Sequence, residues 1–141
     1  GDRVNVLRWT DRDRPLAQLT QQYYADLSRL RSSEVGRAFK VGDRIPLDHY
    51  RWIRPREKAA LGYLVNVDGT TQGASFVVLL NACKRTVGFD VQFPAGQWVQ
   101  VGDGSKIKDA GIPGKVLPPR GPGGSRHVKV PKLSSQIFMR R

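Results

Sequence analysis

Two glutamates, Glu34 and Glu57, ten aspartates, two histidines, His49 and His127, and one thiol, Cys83, are the groups in this chain with acid–base or nucleophilic chemistry to offer. Glycoside hydrolysis needs two carboxyl groups facing each other across the scissile bond, roughly 5–10 Å apart. Glu34 and Glu57 both fall in a stretch with little pattern, and the aspartates fall mainly in caps and turns: Asp11, Asp13, Asp68 and Asp103. They read as turn formers and solvated charges. Neither a zinc site nor a Cys–His nucleophilic pair has the local spacing to support it. Ser134 and Ser135 have no base nearby in sequence. Gly121-Pro122-Gly123-Gly124 lacks the Gly-Lys-Ser/Thr ending of a phosphate loop, and no helix follows to supply N–H groups. No catalytic residue, metal site or cofactor is expected within the chain.

Trp9, Trp52 and Trp98 bring a different chemistry. Sugar rings stack on exposed aromatic faces, so an open tryptophan on a β-sheet marks a glycan site, whereas a packed one belongs to the core or the sheet rim. Packing is the favoured reading for Trp98, which borders a turn, and the sequence leaves Trp52 open.

Composition sets the frame for these groups. The chain has 141 residues, 39% of them hydrophobic, with 15 glycines and 9 prolines. That is enough for one ordinary domain with a real core and many turns. A single cysteine allows no internal disulfide, and a small hydrophobe is its expected role. No apolar run approaches the roughly 20 residues of a bilayer span, and no signal peptide is visible. The sequence leaves the compartment open. The net charge of +12 invites a nucleic-acid reading. The excess is spread along the chain, however, and no basic run exceeds two residues, as in Lys84-Arg85. Solvated surface charge is the better reading, with a polyanion-binding face as the alternative.

The elements that would position these residues follow from periodicity. Leu16, Leu19, Tyr23, Leu27 and Leu30 form one stripe of a helix, widened by Ala17 and Tyr24. Asp11 and Asp13 are placed to cap its start, Pro15 suits its first turn, Arg29 and Arg31 complement its last, and Ser32-Ser33 and Gly36 end it. A lone amphipathic helix cannot bury its face by itself. Gly42-Asp43 reads as a turn, and Arg51-Trp52-Ile53-Arg54 as a short strand closed by Pro55. From Ala59 the period changes to two. Leu61, Tyr63, Val65 and Val67 alternate up to a turn at Asp68-Gly69. Ser75–Asn81 is continuously apolar, as a strand covered on both faces should be. Val87, Phe89, Val91 and Phe93 alternate again, and Trp98–Val101 follows the Pro94-Ala95-Gly96 turn. Gly111–Gly124 predicts a long surface loop, and Val128–Val130 and Gln136–Met139 the closing strands. The expected fold is mainly β: an antiparallel β-sandwich preceded by one amphipathic helix.

These residues also carry a resemblance. Gly1-Asp2-x-Val4-Asn5-x-Leu7-x-Trp9, then Tyr23-Tyr24-x-x-Leu27-x-x-Leu30-Arg31 and Ala38-Phe39, resemble the end of the catalytic barrel in pullulanase-type enzymes of glycoside hydrolase family 13, the α-amylase family. Downstream, Phe76–Asn81 resembles that family's apolar strand ending in Asn. Phe93-Pro94-Ala95-Gly96-x-Trp98 resembles its Leu-Pro-x-Gly-x-Trp hairpin, and Val130-Pro131-x-Leu133-Ser134 its closing Val-Pro-x-x-Ser. Two features depart from the family. Ser33-Glu34-Val35 replaces the usual His-Pro, and the glycine–proline loop near residue 120 exceeds the family's hairpin.

The resemblance implies that residues 1–35 are the end of a (β/α)8 barrel and residues 36–141 its C-terminal accessory β-sandwich. The parent enzyme would hydrolyse α-glucosidic bonds in starch, glycogen or pullulan. Its aspartate nucleophile, glutamate acid/base and second aspartate would lie ahead of Gly1, so this chain alone is expected to be inactive. Asp2, Asn5 and Trp9 would follow the eighth barrel strand and lie nearest the substrate, with plain loop structure as the alternative. The implied partners are the barrel of the same polypeptide and an α-glucan; nucleic acid stays the less favoured alternative raised by the charge, and no membrane is expected from the lack of a long apolar run.

Overall fold

The structure, a computed structural model, describes residues 12–42, 44–117 and 124–141. The expected helix forms as α1 (Pro15–Ser32), and its boundary chemistry is partly as read. Proline sits in the first turn and Arg29 and Arg31 in the last. The expected cap from Asp13 does not form. Arg14 occupies the cap position and makes no side-chain bond there, because the helix begins one residue too late for Asp13 to reach it. Asp11 lies outside the described residues. At the other end Ser33 is the stop. Its N–H donates to the carbonyls of Arg29 (3.0 Å) and Leu30 (3.2 Å), and its hydroxyl donates to Leu30 O and accepts the Gly36 N–H. Gly36 does not end α1 directly. It lies in a 3-10 turn, Val35–Phe39, so close to the carbonyl of Leu30 that a Cβ would collide with it.

Eight strands follow: β1 (Tyr50–Ile53), β2 (Ala60–Val65), β3 (Phe76–Asn81), β4 (Val87–Gln92), β5 (Trp98–Gly102), β6 (Val116–Leu117), β7 (Ser125–Val130) and β8 (Ser134–Arg140). The protein is mainly β, and every strand pairing is antiparallel. Six strands form one sheet in the order β1-β2-β3-β8-β5-β6, with β1 and β6 at its open edges. The other two, β4 and β7, form a ribbon. The expected loop over 111–124 is interrupted, since β6 pairs with β5 and β7 begins at Ser125.

The large sheet is apolar on both faces. One core holds Leu64, Val77, Leu79 and Phe138 of the sheet with Val87, Phe89, Val91 and Val130 of the ribbon. The other holds Val65, Phe76, Val78, Val99, Ile137 and Met139 with Leu30 of α1 and Ala38 of the 3-10 turn. Successive residues of β3 thus serve opposite cores, which explains its unbroken apolar run. In β4 one face packs and the other meets solvent, giving the clean alternation.

Candidate functional site

The face of the sheet that carries α1 holds the residues with binding potential. Tyr23, Leu27 and Leu30 seat the C-terminal half of the helix against the strands. The Tyr23 and Ser135 hydroxyls share a hydrogen bond of 3.0 Å, fastening helix to sheet. Between them runs a groove of 410 Å³ floored by Val78, Leu80 and Ile137 and flanked by Tyr63 and Arg31. Burial pushes the Tyr63 phenol above its ordinary pKa, and the neighbouring Tyr50 adds to the shift. Among the described residues the N-terminal half of α1 has no such cover. Leu16 is 75% exposed, Leu19 64% and Tyr24 63%, although the first two continue the stripe that packs further along. Over the described residues, no helix is long and apolar enough to cross a membrane.

Beside the groove lies an aromatic ledge. Trp52 on β1 stands directly opposite Tyr63 on β2, ring centres 5.7 Å apart, and Tyr50 lies 6.3 Å from Tyr63 on the same face. Trp52 is 58% exposed, because β1 is an edge strand and α1 does not reach over it. Trp98 is the opposite case. It is 2% exposed, its Nε1–H donates to Pro94 O at 2.9 Å, and it packs edge-on against Phe93. It offers no open face to a sugar, in line with the packing favoured for it from the sequence, and it pins the turn ahead of β5. Asp2, Asn5 and Trp9 lie outside the described residues.

The groups with acid–base chemistry fall in several places, and one hollow beside the ribbon is lined by Glu57, Asp90 and His127. Glu57 pairs with Arg85 at 2.6 Å in that hollow, whereas Glu34 lines a different hollow at the end of α1. Asp103 accepts bonds from the hydroxyl and N–H of Ser105 and the N–H of Lys106. Burial alone would raise its carboxyl, but these bonds and the Lys106 charge outweigh that and hold its pKa below the ordinary value. His49 is buried, with Nε2 2.8 Å from Ala38 O and its ring edge-on to Tyr50. That histidine locks the 3-10 turn to the start of β1, a role its isolated position in the sequence did not signal. His127 pairs with Asp90 across the ribbon at 2.9 Å. Cys83 is half-buried, and its N–H donates to Asn81 Oδ1. Among the described residues no group of three or more His, Cys, Asp or Glu side chains is placed to hold a metal ion.

Among the described residues two surfaces stand out: an apolar helix stripe without cover and an aromatic ledge on the same side of the sheet. Comparison with known protein families and with curated proteins gives no match for this chain.

Proposed function

We propose that this chain is the accessory C-terminal region of an α-amylase-family enzyme acting on α-glucans, with α1 as the last helix of the catalytic barrel. In this reading the six-stranded sheet and the ribbon are the two layers of a β-sandwich. The sandwich covers the barrel's flank and stabilises it, performing no hydrolysis of its own. The observation that carries the reading is the divided stripe of α1. Its C-terminal half is spent on the sheet, while Leu16 and Leu19 continue the same face into solvent with Tyr24 beside them. A helix uncovered in this way wants a second apolar body, and the barrel-end motif that runs through Tyr23 and Leu30 names one. The test is association with the separately expressed catalytic barrel of the parent polypeptide. The chain should bind it, and Leu16→Asp with Leu19→Asp should abolish binding while leaving the thermal melt of the isolated chain unchanged. Turnover of pullulan, starch or glycogen by the isolated chain, or barrel binding indifferent to the double substitution, would sink the proposal.

A second reading rests on Trp52. Its exposed ring beside Tyr63 suits stacking against a sugar, which would make the sheet face a glycan-binding surface. Titration with malto-oligosaccharides should then give a saturable change in tryptophan fluorescence, and a flat response at millimolar sugar counts against it.

A further inference from the structure

The chain between the 3-10 turn and β1 meets the β2–β3 loop around a cleft of 450 Å³. Arg37, Lys40 and Arg44 stand on one side and Thr70, Thr71 and Gln72 on the other. No carboxylate is among the described residues that line it, and Glu34 faces the adjoining hollow instead. The Arg37 guanidinium is held by Gln72 Oε1 at 3.1 Å. Among the described residues the side chains of Lys40 and Arg44 have neither an ion pair nor a hydrogen bond. Three cations thus share one hollow with no carboxylate among the described residues of its walls; Asp43, between Gly42 and Arg44 in the sequence, lies outside the described residues.

The threonine wall and the turn that carries Arg37 are held in place. Asn66 is buried in a left-handed backbone conformation (φ 53°). Its Oδ1 accepts the Thr71 N–H at 3.1 Å, and its Nδ2 donates to the carbonyls of Thr71 (3.1 Å) and Gly73 (3.2 Å). The buried Ser75 hydroxyl donates to Asn66 O at 2.7 Å. The turn that carries Arg37 is tied to the same loop, because Ala74 N–H donates to Val35 O at 2.8 Å. His49 reaches both sides, with Nε2 at Ala38 O and Nδ1 3.4 Å from the Thr71 hydroxyl. Three buried polar residues are therefore committed to the geometry of the cleft. A preorganised site loses less ordering entropy when a ligand enters.

We propose that this cleft binds a tetrahedral oxyanion, a phosphate group either free or carried as a monoester on a small molecule. Guanidinium forks and an ammonium match phosphate oxygens, and the threonine hydroxyls supply neutral donors beside them. The volume falls in the range of small-ligand sites, about 300–1,000 Å³, which leaves room for more than the bare ion. This inference is independent of the accessory-domain reading and concerns the opposite end of the 3-10 turn from α1.

The test is calorimetric titration of the 141-residue chain with inorganic phosphate and, separately, with glycerol phosphate, at constant ionic strength. Saturable binding of either supports the proposal. Equal affinities show that the phosphate group alone is recognised, and tighter ester binding shows that the remaining volume is used. Lys40→Ala and Arg44→Ala should each weaken binding about tenfold or more, as loss of a charge-assisted bond requires, while Arg44→Lys retains most of it. Lys84→Ala, at an exposed cation between β3 and β4, should change it less than about twofold. Circular dichroism verifies that each variant is folded. The proposal is overturned if neither small phosphate binds at millimolar concentration, if Lys84→Ala weakens binding as much as Arg44→Ala, or if only a DNA oligonucleotide binds. The last two results would reassign the effect to the overall +12 charge.

Discussion

Replacing Asn81 tests how the sheet and the ribbon are joined. Its carboxamide is buried at the end of β3, with Nδ2 donating to the carbonyls of Arg85 (2.8 Å), Val130 (3.0 Å) and Pro131 (2.8 Å) and Oδ1 accepting the Cys83 N–H (2.9 Å). One side chain thus ties the β3–β4 turn to the β7–β8 turn. Asn81→Ala removes every one of these bonds. The carbonyls of Arg85 and Pro131 belong to exposed residues and regain water, at a net cost of about 0.5–1.5 kcal/mol each. Val130 is fully buried, so its carbonyl bears the larger penalty of an unsatisfied group, about 1–3 kcal/mol. The total is about 4 kcal/mol, which for a chain of this length lowers Tm by about 12 °C. Thermal and urea melts measure it, with the urea m-value unchanged. Asn81→Asp keeps the acceptor but sets a negative charge against three carbonyl oxygens, so near neutral pH it costs more than the alanine. Burial and those carbonyls raise the pKa of the introduced carboxyl in the folded state above its unfolded value. Its penalty is therefore small below the unfolded pKa and grows as pH rises through the window between the two values, so acidification restores stability to this variant. A Tm for Asn81→Ala within about 2 °C of the unsubstituted chain would refute the reasoning. So would an aspartate variant whose stability relative to the unsubstituted chain ignores pH.

Gly73→Ala should cost about 2–3 kcal/mol in urea melts. Its φ is +98°, and a Cβ there runs into Ala38 N and Val35 O, so the loss combines backbone strain with displacement of the 3-10 turn. Asp103→Asn should lower Tm near neutral pH, because the native carboxyl is depressed by its bonds to Ser105 and Lys106. That contribution is present above the unfolded carboxylate pKa and lost as pH falls through the lower folded value, so the two melting curves converge in acid. Trp52→Ala should leave stability within about 1 kcal/mol, given the ring's exposure. It should also erase any fluorescence response to malto-oligosaccharides; a response that persists would place the binding elsewhere.

Elements whose residues meet one uniform environment were legible in the sequence. The stripe from Leu16 to Leu30 gave α1 because it follows one helix face, although half of that face is bare. The alternation of Val87, Phe89 and Val91 gave β4 because only one face of the ribbon is buried. The run from Phe76 to Leu79 gave a strand covered on both sides. Short or irregular elements were not legible. β6 has two residues and exists only through its pairing with β5. The 3-10 turn contains Gly36, whose placement is dictated by the Leu30 backbone rather than by any local pattern. The same limit applies to the surfaces. Trp52 and Trp98 both sit on strands, and what separates them is which strand is the sheet's edge. The basic cleft draws its cations from a segment with no visible period and its threonines from another loop, and only tertiary ties bring them together.

The open edges of the large sheet have a consequence for how the chain behaves among its own copies. An unpaired strand edge is a template for adding another strand, and a broad exposed apolar face beside it makes such addition more favourable. Here β1 is four residues long, carries Arg51, and runs into Arg54, Pro55 and Arg56, while β6 is only two residues long. Among the described residues both edges are short, and the charge and proline of the first oppose the addition of a further strand. On the large sheet, then, the apolar surface is offered on a helix rather than along a strand edge; the longer edges among the described residues are those of the ribbon, where β4 and β7 run for six residues each.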